Sequence, residues 1–123
     1  MSLANQNWSN RKLQVQYADF IRSDATANIH CLDTESNETF TFCCEKTIFY
    51  STNPPNKIES PFNARLIELR EESAKDVYEE LHRIDGRPGT SASGNIYRLF
   101  LDGVANSVLV YCFVMNIIPH SKP

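Results

Sequence analysis

Residues 28–51 read NIHCLDTESNETFTFCCEKTIFYS, and this stretch decides the fold. Apolar side chains recur at every second position, with Ile29 and Cys31 before a polar centre and Phe40 and Phe42 after it. Such alternation is typical of β-strands with one buried face, so the stretch predicts a β-hairpin. Because both apolar sets must face the core, odd-numbered residues must pair with even-numbered ones. The hairpin therefore needs a loop with an even number of residues.

Two loops meet this condition, a two-residue loop at 36–37 and a four-residue loop at 36–39. The four-residue loop would place Cys31 opposite Cys44. After the hairpin, residues 47–51 are β-branched or aromatic in four of five positions and predict a continued strand.

The C-terminal third predicts a second pair of strands. Residues 96–101 form the first, Asp102 and Gly103 form the turn, and residues 107–118 form the second. Because the last run is apolar on both faces, we expect it in the middle of the sheet. Residues 119–123 are predicted to be a tail.

Residues 74–84 predict an amphipathic helix. Ser73 is suited to cap its start, with Asp76 three residues later, and Gly86 is placed to end it in a left-handed conformation. The predicted buried stripe has helical spacing and consists of Ala74, Val77, Tyr78, Leu81 and Ile84.

Two segments fit more than one structure. In residues 11–22, Leu13, Val15 and Tyr17 alternate as in a strand, whereas Leu13, Tyr17 and Phe20 keep helical spacing, and we predict a helix. Residues 61–72 fit either a strand over 64–70 or the first part of one long helix over 61–84. The sequence leaves these two alternatives open.

With 123 residues and 41% hydrophobic side chains, the chain is predicted to form one domain over residues 1–123. The predicted fold class is α+β, a mostly antiparallel sheet with one or two helices packed on one face. We expect residues 1–10 to be a loose N-terminal segment and residues 86–95 a flexible loop.

The charge balance argues against nucleic acid as a partner. The chain carries 15 acidic and 12 basic residues, and the basic ones are scattered. The N-terminus lacks an apolar run, and the longest apolar run, residues 108–118, is too short to span a bilayer. We therefore expect a cytoplasmic protein that does not bind membranes.

Cysteine and histidine spacing predicts no metal, no cofactor and no catalytic residue. The four cysteines form no C-x-x-C pair, and no histidine stands in a zinc-binding spacing. We expect buried, reduced thiols. His30 and Cys43 would share the outer face of the hairpin, but such neighbours are common by geometry alone, so they are not assigned as a nucleophile pair.

The acidic residues concentrate in residues 68–85. This segment contains seven carboxylates and three basic residues, Arg70, Lys75 and Arg83, so its net charge is −4. This pattern favours a non-enzymatic protein-binding protein, of the inhibitor or immunity type, whose acidic surface holds a basic protein partner. The residues predicted to bind that partner are Glu72, Asp76, Glu79, Glu80 and Arg83.

Two other functions fit the sequence less well. Residues 86–95 contain three of the four glycines, and this loop could cover a small-ligand pocket or an enzyme site that takes an anion. Its candidate binding residues are Arg87, Thr90, Ser91 and Ser93. The third alternative is a self-associating structural subunit, a homo-oligomer joined through exposed strand edges.

Overall fold

The computed structural model describes residues 8–55, 58–86 and 94–120. Strands account for most of these residues, and short 3-10 turns lie at Trp8–Asn10 and Arg22–Asp24. In chain order the elements are β1 (Leu13–Ile21), β2 (Thr26–Asp33), β3 (Thr39–Asn53), β4 (Phe62–Asn63), β5 (Leu66–Ser73), α1 (Ala74–Asp85), β6 (Asn95–Asp102) and β7 (Ser107–Pro119).

The described strands form one antiparallel sheet in the order β4-β1-β2-β3-β7-β6-β5. The strand predicted to be central, β7, lies between β3 and β6, which confirms that prediction. The fold is therefore a mostly antiparallel sheet with one helix, as the predicted α+β class requires, although strands dominate it.

The sheet curls until its two edges lie close together. The edge strands β4 and β5 are separated in sequence only by Ala64 and Arg65. The Ala64 N–H donates to Leu13 on one edge, and the Arg65 N–H donates to Asp102 on the other. Gly103 packs against Phe62 at this closure. The chain therefore crosses from one edge of the sheet to the other within two residues.

The inner face of the curled sheet holds the main hydrophobic core. Every strand contributes to it, and the 3-10 turn at the N-terminus adds Trp8. The Trp8 ring lies 5.2 Å from Phe42 and 6.1 Å from Phe40 between ring centroids. Residues 8–10, predicted to be loose, are thus anchored by a buried aromatic side chain.

The β2–β3 hairpin confirms the predicted pairing of odd with even residues but has a different loop. Cys31 pairs with Phe40, and Cys44 pairs with Ala27. The loop is residues 34–37, because Asp33 closes it with its own side chain. Its Oδ1 accepts hydrogen bonds from the backbone N–H groups of Glu35 and Ser36. The side-chain turn at Asp33 therefore shifts the register from both predicted loops.

Residues 13–21 form a strand, so the predicted N-terminal helix is wrong. A β-bulge lies between Val15 and Tyr17 and adds one residue to β1. The buried positions are therefore Leu13, Val15 and Ala18, whose unequal spacing resembles that of a helix.

Of the two alternatives for residues 61–72, the structure agrees with the strand, and α1 begins after it. β5 runs to Ser73, so the long helix over 61–84 is wrong. Ser73 makes no side-chain cap, contrary to the prediction. The first helical N–H, at Ala74, donates to the Gly94 carbonyl oxygen at 2.9 Å. Gly86 ends the helix with a φ of 72°, as predicted.

The predicted tail includes residues 119 and 120, but the structure places both in contact with the sheet. Pro119 belongs to β7, and the His120 N–H donates to the Thr39 carbonyl oxygen at 3.0 Å. Residues 1–7 and 121–123 lie outside the described part of the chain.

The cysteine side chains are free thiols, and three of the four are buried. Burial raises the pKa of the Cys31 thiol to about 12. The Cys44 thiol donates to the Met115 sulfur at 3.8 Å. The hydrogen bond with Cys112 and burial both raise the pKa of the Cys44 thiol. These thiols pack as small apolar side chains, as the sequence predicts.

A substitution at Tyr50 tests the packing of the inner face of the sheet. Its buried hydroxyl has no hydrogen-bond partner among the described residues, and burial and the Asp19 charge both raise its pKa. We expect Tyr50→Phe to raise the free energy of unfolding by about 1 kcal/mol, because it removes an unpaired buried polar group. Urea unfolding measures this. The control, Tyr111→Phe, should lower stability because Tyr111 accepts from Arg98 at 3.3 Å. A Tyr50→Phe variant that is less stable than the wild type would contradict the assignment.

Candidate functional site

The helix α1 lies on the outer face of the sheet and is held there by a second hydrophobic cluster. Ala74, Val77 and Leu81 are buried, and they pack with Ile96 of β6 and Tyr111 of β7. Burial of Val77 and of Leu81 stabilises the fold by roughly 1.5–3 kcal/mol for each side chain. The buried side of the helix therefore holds it on the sheet, and the opposite side is exposed to solvent.

The opposite side of α1 is exposed and acidic. Asp76, Glu79, Glu80 and Arg83 are all exposed, as the helical spacing predicts. We call these four residues together with Ile84 the α1 surface. The whole helix contains four carboxylates against Lys75 and Arg83.

The charges of the α1 surface are only partly neutralised. Helical spacing would allow the ion pairs Lys75–Glu79 and Glu79–Arg83. Neither pair forms among the described residues. Instead, Arg83 pairs with Glu80 one turn earlier. Among the described residues, no ion pair involves Asp76 or Glu79. Two carboxylates therefore face solvent outside any described ion pair.

The acidic residue Glu68 of β5 differs in this respect. Its carboxylate lies 2.5 Å from Arg70 and 3.3 Å from Arg98, and Arg98 also donates to the hydroxyl of Tyr111. Two guanidinium groups thus neutralise Glu68. The charge of Glu68 is balanced within the fold, whereas Asp76 and Glu79 of α1 form no described ion pair.

Glu72 does not join the α1 surface. It lies in β5, opposite Ile96, and is half-buried. The prediction that it shares a helix face with Asp76 is wrong, because the helix begins only at Ala74.

Ile84 changes the character of the α1 surface. The sequence predicts it as part of the buried stripe, but its side chain is 59% exposed. It follows Asp76 and Glu80 at intervals of four residues, so these three side chains lie in one row along the helix. The surface thus joins carboxylates to an exposed apolar side chain.

The alternative ligand loop cannot be compared with the structure. Arg87, Thr90, Ser91 and Ser93 all lie in residues 87–93, outside the described residues.

The geometry at His30 and Cys43 gives no support to nucleophilic catalysis. Cys43 lies opposite Asn28, and His30 lies opposite Thr41, so the two residues are diagonal neighbours. The His30 Nδ1 lies 2.8 Å from the Thr41 hydroxyl. Burial and the Glu45 charge raise the pKa of the Cys43 thiol, which disfavours the reactive thiolate.

Two further features concern the described residues. No three His, Cys, Asp or Glu side chains among them come together as metal ligands. In residues 8–55, 58–86 and 94–120, no helix has the length and apolar composition needed to cross a bilayer.

The sequence did not predict two side-chain clusters that the structure contains. The Thr41 hydroxyl lies between His30 and His120, although 79 residues separate Thr41 from His120. The Arg11 guanidinium binds the Asp33 carboxylate and lies over the Trp8 ring. Both clusters arise from the way the strands fold together. Only Asp33, followed by Ser36 and Asn37, carries a local signal, that of a turn.

A groove of about 460 Å³ lies beside the start of β1 and is lined by Lys12, Leu13, Thr34, Asn63 and Ala64. It is open to solvent. It contains none of the residues predicted from the sequence to bind a partner or ligand.

No protein-family model matches this sequence, and no curated protein or solved structure matches it either.

Proposed function

We propose that this protein is a non-enzymatic binding protein of the inhibitor or immunity type, which holds a basic protein partner on its α1 surface. The observation that carries the proposal is the pair of exposed carboxylates, Asp76 and Glu79, that form no ion pair with a described cation. A basic partner would supply the missing countercharge.

The rigidity of α1 supports the same conclusion. Val77 and Leu81 pack the helix against the sheet, so the backbone that carries its carboxylates is in place before a partner arrives. Binding then costs little ordering of the protein backbone. The carboxylates would steer a basic partner and increase its association rate, and salt would screen this effect.

Ile84 adds an apolar contact to the charged ones. Binding energy usually concentrates in a few apolar or aromatic side chains surrounded by polar ones. The proposed partner surface is therefore basic with an apolar pocket or side chain that receives Ile84, and not a uniformly charged polymer.

The test compares two charge reversals of equal size. The helix variant carries Asp76→Lys and Glu79→Lys, which leaves the Glu80–Arg83 pair intact. The control variant carries Asp24→Lys and Glu38→Lys, both at exposed positions outside α1. Each variant and the wild type are immobilised and exposed to lysate of the native host, and captured proteins are quantified by mass spectrometry.

We expect a basic protein that the wild type and the control variant retain and the helix variant loses. Its affinity, measured with the purified partner, should fall at least tenfold in the helix variant, about 1.4 kcal/mol. Ile84→Ser should weaken binding without changing its salt dependence. Capture of no such protein, or equal loss in both charge variants, would overturn the proposal.

A further inference from the structure

Three sulfur atoms lie together in the core between β3 and β7, away from the α1 surface. The Cys44 thiol donates to the Met115 thioether sulfur at 3.8 Å, and the Cys112 thiol is hydrogen-bonded to Cys44. Cys44 belongs to β3, and Cys112 and Met115 belong to β7. Because Cys44 and Met115 are 71 residues apart, no local spacing in the sequence indicates this group. We call these three residues the sulfur cluster.

A kink shared by the two strands creates the sulfur cluster. Cys44 pairs with Met115, and the next buried pair along the same ladder is Thr47 with Cys112. The interval between these pairs is three residues on both strands, whereas residues on one face of a regular strand are two apart. Lys46 lies in this interval and takes a positive φ of 52°. Without the kink, Cys112 and Met115 would point to opposite faces of the sheet.

The sulfur cluster has the ligand chemistry that soft metal ions prefer. Thiolate and thioether sulfur atoms are the ligands that select Cu(I) in proteins. Metal–sulfur bonds of about 2.3 Å place the three sulfurs of a trigonal site about 4 Å apart. The Cys44 and Met115 sulfurs, at 3.8 Å, already have this separation. The two side chains therefore need little movement to share one ion.

The same cluster does not meet the requirements of a structural zinc site. Such sites are tetrahedral and need four nitrogen, oxygen or sulfur ligands. In the described part of the chain, no third His, Cys, Asp or Glu completes a set with Cys44 and Cys112. Cys31 also faces the core, but it pairs with Phe40, four residues before Cys44 along β3. Three sulfurs without a fourth ligand suit three-coordinate Cu(I).

We propose that the sulfur cluster binds one Cu(I) ion. The ion displaces the thiol protons of Cys44 and Cys112, which pass to solvent, and Met115 donates a sulfur lone pair without losing a proton. Copper keeps its oxidation state, and the ion with its two thiolates carries a net charge of −1. The bound ion joins β3 to β7 through the core. This inference does not depend on the proposed function of α1.

The position of the kink provides access to the cluster. Cys44 and Cys112 are fully buried, and Met115 is 5% exposed. Glu45 and Lys46, which follow Cys44 directly, are exposed to solvent. Local opening of the kink would therefore admit an ion without unfolding the rest of the sheet.

Anaerobic titration of the purified full chain with Cu(I), against a chromophoric Cu(I) chelator as competitor, tests the proposal. We expect one Cu(I) per folded chain. Cys44→Ala should weaken binding by more than about 100-fold, because losing even a hydrogen-bond partner behind a metal ligand costs about 10–100-fold. Met115→Leu removes the thioether but nearly keeps the side-chain volume, and it should weaken binding about tenfold.

The matched control is Cys31→Ala, because Cys31 and Cys44 are both fully buried thiols of the core. This variant should bind Cu(I) like the wild type. Circular dichroism checks the fold of each variant and of the copper-loaded wild type, and Met115→Leu covers the case in which Cys44→Ala fails to fold. The proposal is wrong if the folded wild type binds no Cu(I), or unfolds when it does. It is also wrong if Met115→Leu binds like the wild type, or if Cys31→Ala weakens binding as much as Cys44→Ala.

Discussion

Asp33→Ala should lower the free energy of unfolding by about 3 kcal/mol, because Asp33 joins the core to the hairpin turn. Asp33 is 7% exposed. Its Oδ2 accepts from Arg11 at 3.0 and 3.1 Å, and its Oδ1 accepts from the backbone of Glu35 and Ser36. The substitution removes all these acceptors and leaves Arg11 over the Trp8 ring without its carboxylate.

Asp33→Asn separates the two roles of this side chain. The amide oxygen can still accept from the turn, but the charge pair with Arg11 is lost. We expect about half the cost of the alanine variant. The matched control is Glu35→Ala, which breaks only the exposed pair with Lys12 at 3.7 Å and should cost less than about 0.5 kcal/mol.

The effect of Asp33 depends on pH in a defined direction. Burial alone would raise its pKa, but the backbone N–H groups of Ser36 and Glu35, together with Arg11, lower the pKa below the usual value. Because the carboxylate is favoured in the folded state, its contribution is complete above the unfolded pKa of about 3.9 and is lost as pH falls through the lower folded pKa. Urea unfolding at neutral and acid pH should show the wild type and Asp33→Asn converging below about pH 4. A difference that stays constant into this range would contradict the account.

Gly103→Ala should cost about 2–3 kcal/mol, because it opens the closure between the two edges of the sheet. A Cβ atom at Gly103 would lie 2.5 Å from the Phe62 ring and 2.8 Å from the Asn63 carbonyl oxygen. The sequence assigns Gly103 to turning the last hairpin. In the structure, however, it is Val104 that takes a positive φ, of 77°, while Gly103 supplies space.

Gly86→Ala is the control for this prediction. No atom lies within 4 Å of the position of its Cβ, so only the positive φ of 72° opposes the substitution, and the cost should be about 1 kcal/mol. A thermal or urea unfolding series ranks the two variants. If Gly103→Ala is as stable as Gly86→Ala, β4 does not pack against the β6–β7 turn as described.

Local sequence patterns were sufficient to predict much of the fold. Alternation at Phe40 and Phe42, the amphipathic spacing of Val77 and Leu81, and Gly86 after the helix each depend on neighbouring residues, and the structure confirms them. The hairpin register was not predictable from alternation alone, because alternation fixes only which face a residue takes. The side chain of Asp33 decides the pairing within that constraint.

Non-local packing explains the errors. The bulge in β1 mixes intervals of two and three residues, which imitates a helix until β2 is known to pair with it. Ile84 has helical spacing but lies at the end of α1, where no part of the described sheet covers it. The closure at Ala64 and Arg65 joins residues that are close only in the folded chain. For the α1 surface, sequence placed Asp76, Glu79, Glu80 and Arg83 on the exposed side, and their binding role remains a prediction.

Zero-length carbodiimide cross-linking of the purified full chain in native lysate tests the proposed function most directly, because it joins a carboxylate only to an amine in contact with it. We expect cross-linked peptides that connect Asp76 or Glu79 to a lysine of a basic partner protein, and we expect high salt to remove them. Cross-links to other proteins that involve only carboxylates outside α1, such as Glu35 and Glu38, would contradict the account.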